Sequence, residues 1–303
     1  MKLATHESSN LAYIPGCRRA LLHAVRNYAA AILLLAALLV LFPGKVKFYC
    51  YTAVRELAKY HAMLGTLGLE KLTSEHYYIK FKPEDRALAA LVLSTAESFY
   101  LPVTGQFDFT LRGRIPIILH SSRADLNRYF GWEANESAIG VYWAGVIRVL
   151  SPAAWVNAKE PEQFAEIFAA DGPMAHELTH LVVDYLTGGN YPRWFTEGVA
   201  QYEEYKLTGY EITGGNYAEL PNYSYSELAG DFDSLANQTA AYRGSLDAVR
   251  FIVSRGGEAA IAQIMVELKH GMDFNRALTR VLGMDEVQFE ASWQAWQRAQ
   301  SAI

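Results

Sequence analysis

The sequence predicts an α+β fold, and three observations carry that reading. Strand-like runs are confined to the first half of the 303-residue chain, near 77–81, 115–119 and 140–150. After Glu162 the pattern is helical almost throughout. Strand-bearing segments come first and the helical portion afterwards, an order that argues for α+β and against a βαβ sheet. Apolar residues make up 51% and charged residues 19%, ample for a core and far from the composition of a disordered chain. Net charge is −5, so no basic domain is present and nucleic acid is not an expected partner. Two cysteines, Cys17 and Cys50, exclude a disulfide scaffold and a cysteine-rich zinc site.

The elements follow in order. Residues 29–42 read AAAILLLAALLVLF, without one polar side chain. Extended back to Leu21, the run is about 22 residues, enough to span a bilayer as a helix. No small-residue cleavage pattern follows Phe42, which favours an anchor over a cleaved signal. The expectation is a cytoplasmic tail over 1–20, a single membrane span over 21–43 and the bulk of the chain outside the cytoplasm, because the short tail precedes the span and the large polar portion follows it. Residues 44–74 read as a juxtamembrane linker, helical over 45–72, with Val54, Leu57, Tyr60, Met63 and Leu64 at helical spacing. Tyr77–Phe81 alternates as a strand ended by Pro83, Asp85–Phe99 is a helix, Ile115–Leu119 a strand, Ala124–Phe130 a short helix, and Gly140–Leu150 a strand or hairpin. Beyond a Tyr- and Gly-rich stretch from Thr208 to Ser234, helices are expected near 241–255, 257–269, 274–282 and 285–300.

The chemistry concentrates at His176-Glu177-Leu178-Thr179-His180. Histidines at i and i+4 lie one turn apart on one helix face, within reach of one metal ion, and Glu177 can address a water on that ion. Pro173 suits the first turn of this helix, Asp171 is a candidate N-cap, and Gly188-Gly189 ends it. Twelve residues after His180 begins Pro192-Arg193-Trp194-Phe195-Thr196-Glu197-Gly198-Val199-Ala200. A catalytic zinc takes three protein ligands and keeps one position open. Glu197 is the expected third ligand: a turn after Gly189 returns a second helix against the first, and the small Gly198 and Ala200 permit close approach. Asp184 reads as a polar helix position, the alternative being that it orients a ligand, and Glu203 with Glu204 as a solvated helix face.

HELTH followed by Glu at this distance resembles the gluzincin metallopeptidases. The zinc helix HELTHLVVDY is similar to that of thermolysin-like enzymes, and WFTEGVAQY resembles the Trp-Phe-x-Glu-Gly-x-Ala signature of bacterial peptidase-MA-like families. The resemblance extends in order of elements over 75–303. It implies a small mixed sheet with an edge strand along the cleft, for which Gly140–Leu150 is in place, a pair of zinc-bearing helices and a helical C-terminal lobe. It implies one zinc ion per chain on His176, His180 and Glu197, with Glu177 as general base on a metal-activated water and a peptide or protein as substrate. An oxyanion proton donor comes from the helical lobe in such families, and Tyr242 is the candidate chosen among many tyrosines. One departure is Gln201, where thermolysin-like enzymes carry an acidic residue one turn after the Glu ligand, so support for the zinc ligands must differ. The expected function is a membrane-anchored zinc metallopeptidase. The alternative is a catalytically silent peptidase-like domain that binds a partner through its cleft. Oligomeric state is not legible here.

Overall fold

The structure, a computed structural model, describes residues 43–133, 138–212 and 220–300, together with 26–28, 30, 32, 34 and 37. Most of the span expected over 21–43 therefore lies outside the described residues. Among the described residues one helix is long and apolar enough to cross a membrane, Pro83–Gln106, and nearly half of it is buried within the protein.

The described residues 26–28, 30, 32, 34 and 37 are helical, and helix α1 runs Pro43–Leu64. It stops before Gly65 and does not reach residue 72 as its apolar spacing suggests. The chain turns over Gly65–Gly68 and enters β1 (Glu70–Thr73), a strand that its short polar sequence conceals. Then follow β2 (Tyr77–Phe81), α2 (Arg86–Gln106), β3 (Ile115–His120), α3 (Arg123–Phe130), β4 (Gly140–Trp143) and β5 (Val146–Leu150). Helix α2 runs past Phe99 through Pro102, because Tyr100, Val103 and Thr104 are buried and packing outweighs one interrupted turn. The β4–β5 connection is a two-residue turn, Ala144-Gly145, with both φ values positive at 47° and 82°. That backbone matches the twist of a hairpin.

The sheet has the order β1-β2-β3-β5-β4. The outer pairs are antiparallel and the two inner pairs parallel, so it is mixed, with β4 on one edge. Helix α2 joins the parallel neighbours β2 and β3, so a βαβ unit is present where the order of elements argued against one; the helical segregation holds only after the sheet. One face, with Ile79, Ile117, Ile147 and Val149, joins the main core. The other face is thinner: Ile118 and Val146 pack with Ala62 from α1.

The rest of the described chain is helical: α4 (Pro161–Asp171), α5 (Met174–Thr187), α6 (Arg193–Thr208), α7 (Tyr225–Ala229), α8 (Gln238–Gly256), α9 (Ala259–Lys269), α10 (Phe274–Leu282) and α11 (Glu286–Gln300). Asp171 closes α4 and does not cap α5. Extended Gly172 separates the two helices, and Pro173 precedes the first turn of α5. Short α7 sits inside the Tyr- and Gly-rich stretch and begins with a capping box between Ser224 and Glu227. Helices α2 and α6 both pack on α5, and α8 packs on α6, so α5 is central. Trp194, Phe195, Phe289 and Trp293 fill the helical core.

Candidate metal centre

Helix α5 is apolar on most sides because it is buried: Met174, Leu178, Leu181, Val182 and Val183 are all 1% exposed or less. Its two histidines lie on the side facing α6. The chain leaves α5 through Gly188 and Gly189, at φ 65° and 74°. Residues with side chains rarely adopt that conformation, and a Cβ at either position would strike Phe48 or Tyr51 of α1. Pro192 then starts α6, which runs back beside α5 and delivers Glu197.

His176, His180 and Glu197 place one ligand atom each within 4.8 Å of one another, a group able to hold a metal ion. Glu197 Oε2 is 3.4 Å from Nε2 of each histidine. Ligand atoms about 2.0–2.1 Å from a tetrahedral zinc stand ~3.3 Å apart, so this spacing fits zinc. A second observation supports the fit. Glu197 is 1% exposed, and its Oε2 has no hydrogen-bond partner. A buried carboxylate oxygen without a donor is costly. Its other oxygen is occupied by Arg193 Nη2 at 2.9 Å. The imidazoles and Arg193 hold the Glu197 carboxyl well below the usual carboxylate range despite its burial.

The distal ring nitrogens are also engaged. His176 Nδ1 is 3.0 Å from Glu204 Oε2. A carboxylate only accepts, so Nδ1 carries the proton and Nε2 turns its lone pair to the centre. His180 Nδ1 lies 2.7 Å from Thr196 Oγ1. Glu204 thus supplies the acidic support missing at Gln201. Gln201 itself donates to the carbonyls of Glu197 and Tyr242, tying α6 to α8. Neither Glu203 nor Glu204 is a solvated residue: they are 1% and 6% exposed, and Glu203 pairs with Lys206. Two adjacent glutamates read as surface, yet α6 is enclosed by α5 on one side and α8 on the other. Gly198 serves the α8 contact, where a Cβ would stand 2.3 Å from the Ser245 carbonyl oxygen.

Glu177 Oε2 accepts the Tyr142 backbone N–H at 2.5 Å. Burial raises the Glu177 pKa above the ordinary carboxylate value, against the lowering effect of both histidines. Strand β4 approaches this closely because residue 140 is glycine; a Cβ there would stand 2.3 Å from Pro173 Cβ and 2.9 Å from Glu177 Oε1. Tyr242 on α8 is nearby. Burial, then the charge of Glu197, pushes its hydroxyl pKa up against the lowering effect of nearby Arg193, so it stays protonated at neutral pH.

Asp184, one turn beyond His180, is fully buried. It accepts from Tyr142 on β4 (2.7 Å) and from Tyr51 (2.5 Å) and Arg55 (3.1 Å) on α1. The polar helix position is therefore the junction of three elements. Neither the partners of Asp184 nor the roles of Arg193, Thr196, Glu204 and Tyr142 announce themselves in sequence, since all depend on contacts across distant segments.

Residues 164–299 match the Peptidase MA superfamily. The match starts inside α4 and leaves the sheet outside it. Comparison with curated proteins gives no match.

Proposed function

The chain carries a peptidase-like domain of the Peptidase MA superfamily over residues 164–299, and from that premise we propose that it is a zinc metallopeptidase. The observation that carries this reading is the His176–His180–Glu197 cluster with an unsatisfied buried Glu197 oxygen at its centre. Zinc bound there would supply Lewis acidity, making water acidic near neutral pH and polarising a peptide carbonyl. Glu177 takes the proton of the attacking water and returns it to the leaving amine. Tyr242 donates its hydroxyl proton in a hydrogen bond to the oxyanion, and Arg193 adds positive charge beside it. Arg193 also fixes Glu197, while Glu204 and Thr196 fix the histidine rings. On the outer edge of β4 the Tyr142 N–H is held by Glu177, and the backbone groups that remain there would pair with a substrate strand. The apolar run at 21–43 would anchor the chain in a membrane, with the 75–303 portion on the extracytoplasmic side and peptides or proteins there as substrates.

The test pairs a variant with metal removal. Glu177→Gln should bind zinc at one per chain and hydrolyse a mixed peptide library at least ~10²-fold more slowly. Chelation should abolish cleavage by the wild type, and added zinc should restore it. Turnover near wild type in Glu177→Gln overturns the mechanism. Peptide binding without cleavage by the zinc-loaded wild type would establish the silent-domain alternative instead.

A further inference from the structure

Helix α1 has two faces. Phe48, Tyr51, Arg55 and Ala62 point to the chain's own domain: Phe48 and Tyr51 close over Gly188 and Gly189, Arg55 pairs with Asp184, and Ala62 joins the sheet. The opposite face carries Cys50, Ala53, Leu57, Tyr60 and Leu64, all exposed, followed by Leu67 in the turn beyond the helix. Leu57, Tyr60 and Leu67 are 69%, 63% and 80% exposed, which is unusual for apolar side chains in a row. The steps along this stripe alternate three and four residues, a mean period of 3.5. That is the a/d spacing of a left-handed coiled coil, held over two heptads on the face that the described residues leave uncovered.

We propose that α1 is the seam of a parallel, in-register homodimer, the stripe of one chain covered by the stripe of a second copy. With Cys50, Leu57 and Leu64 at a positions and Ala53 and Tyr60 at d positions, the flanking residues agree with that register. In a parallel pair each g side chain meets the e side chain five residues on. This sets Tyr49 against Val54 of the second copy, an apolar pair, and brings His61 of the second copy beside Glu56, which is already paired with Lys59 in its own chain. The docked face of α1, with Phe48, Arg55 and Ala62 at f positions, is opposite the seam. The parallel orientation also accords with the apolar run ending just before α1: chains anchored in one membrane enter it in the same direction, and shared anchoring raises their effective concentration. The dimer does not depend on the peptidase reading.

The experiment uses the full chain in membranes, with Cys17→Ser leaving Cys50 as its only cysteine. A short bis-maleimide should link Cys50 to Cys50. In a Cys50→Ser background, Tyr60→Cys should also link to itself, and Thr52→Cys, on the docked side, should not. Homotypic links at two positions ten residues apart occur only in a parallel pair. Leu57→Asp combined with Leu64→Asp should cut the linked fraction at least ten-fold. Leu101→Asp, at an equally exposed leucine on α2, should leave it unchanged, and Glu177→Gln should link like the parent chain. Thermal unfolding of each variant checks that the domain remains folded. Absence of links at Cys50 and Tyr60→Cys overturns the proposal. So does an undiminished yield in the double Asp variant, which would place the contact elsewhere. Labelling of Leu57 and Tyr60 by a lipid-soluble carbene probe would assign the stripe to a lipid surface and equally overturn it.

Discussion

His176 has its distal nitrogen 3.0 Å from Glu204, a single contact that selects the ring tautomer at the candidate centre. Partners of this kind change metal affinity by ~10–100-fold when removed. Glu204→Ala is therefore expected to weaken zinc binding by that factor, read by competition with a chromogenic chelator. Glu203→Ala, whose partner is Lys206, should leave zinc affinity unchanged. Equal affinities in the two variants would remove Glu204 from the site. The spacing H-E-x-x-H and the return of Glu197 were legible along the chain because the first obeys helix geometry and the second needs only one turn between two helices. Glu204 was not: whether a glutamate on α6 faces water or an imidazole is decided by how α5 and α8 flank it.

Between elements, the tightest polar junction is Asp184. It fixes α1 and β4 to α5, and β4 in turn carries the N–H that meets Glu177. Arg55 is 5% exposed and Asp184 not at all. Removing one partner of a buried ion pair leaves the other charge uncompensated, at a cost of ~3–5 kcal/mol. Arg55→Met should destabilise the protein by about that amount in denaturant unfolding. Arg55→Met combined with Asp184→Asn should recover part of the loss, because no buried charge is then stranded. Additive losses in the double variant would show that the two residues act independently. The apolar spacing of α1 announced a helix here, but the residues that define it, Val54, Leu57 and Tyr60, face outward. An aromatic-and-arginine face does the docking.

For the whole molecule, acid stability should carry the mark of His120 at the end of β3. Burial, then the charge of Arg148, lowers its pKa from the ordinary histidine value of 6.5 to about 4. Arg148 Nη1 donates to its Nε2 at 3.1 Å, which requires the neutral ring. The unfolded chain takes up this proton near pH 6.5 and the folded protein only near pH 4. Between those values the unfolded state binds more protons, so stability falls as pH drops through this window and the contribution levels off below it. In His120→Gln the loss of stability between pH 6.5 and pH 4 should be shallower, measured as the difference in Tm from wild type across that range. Parallel curves would show that His120 takes its proton normally in the folded state.

The sequence by itself determined the α+β class, most of the strands and helices, the helix bearing both histidines and the downstream glutamate that joins them. Each follows from local periodicity, turn chemistry or fixed spacing along one or two helices. It missed β1, whose four residues alternate too briefly to stand out, and carried α1 eight residues too far. Only the tertiary structure decided that Asp184 is a junction and that Glu203 and Glu204 are buried. It also decided that Gly140 and Gly198 are sites of backbone contact and that the apolar stripe of α1 lies outside. The physical reason is common to all of these. Burial and hydrogen-bond partnership are properties of surfaces brought together from positions far apart in the chain, as with Arg55 and Asp184 or Tyr142 and Glu177, and no local pattern encodes which surface a residue will meet.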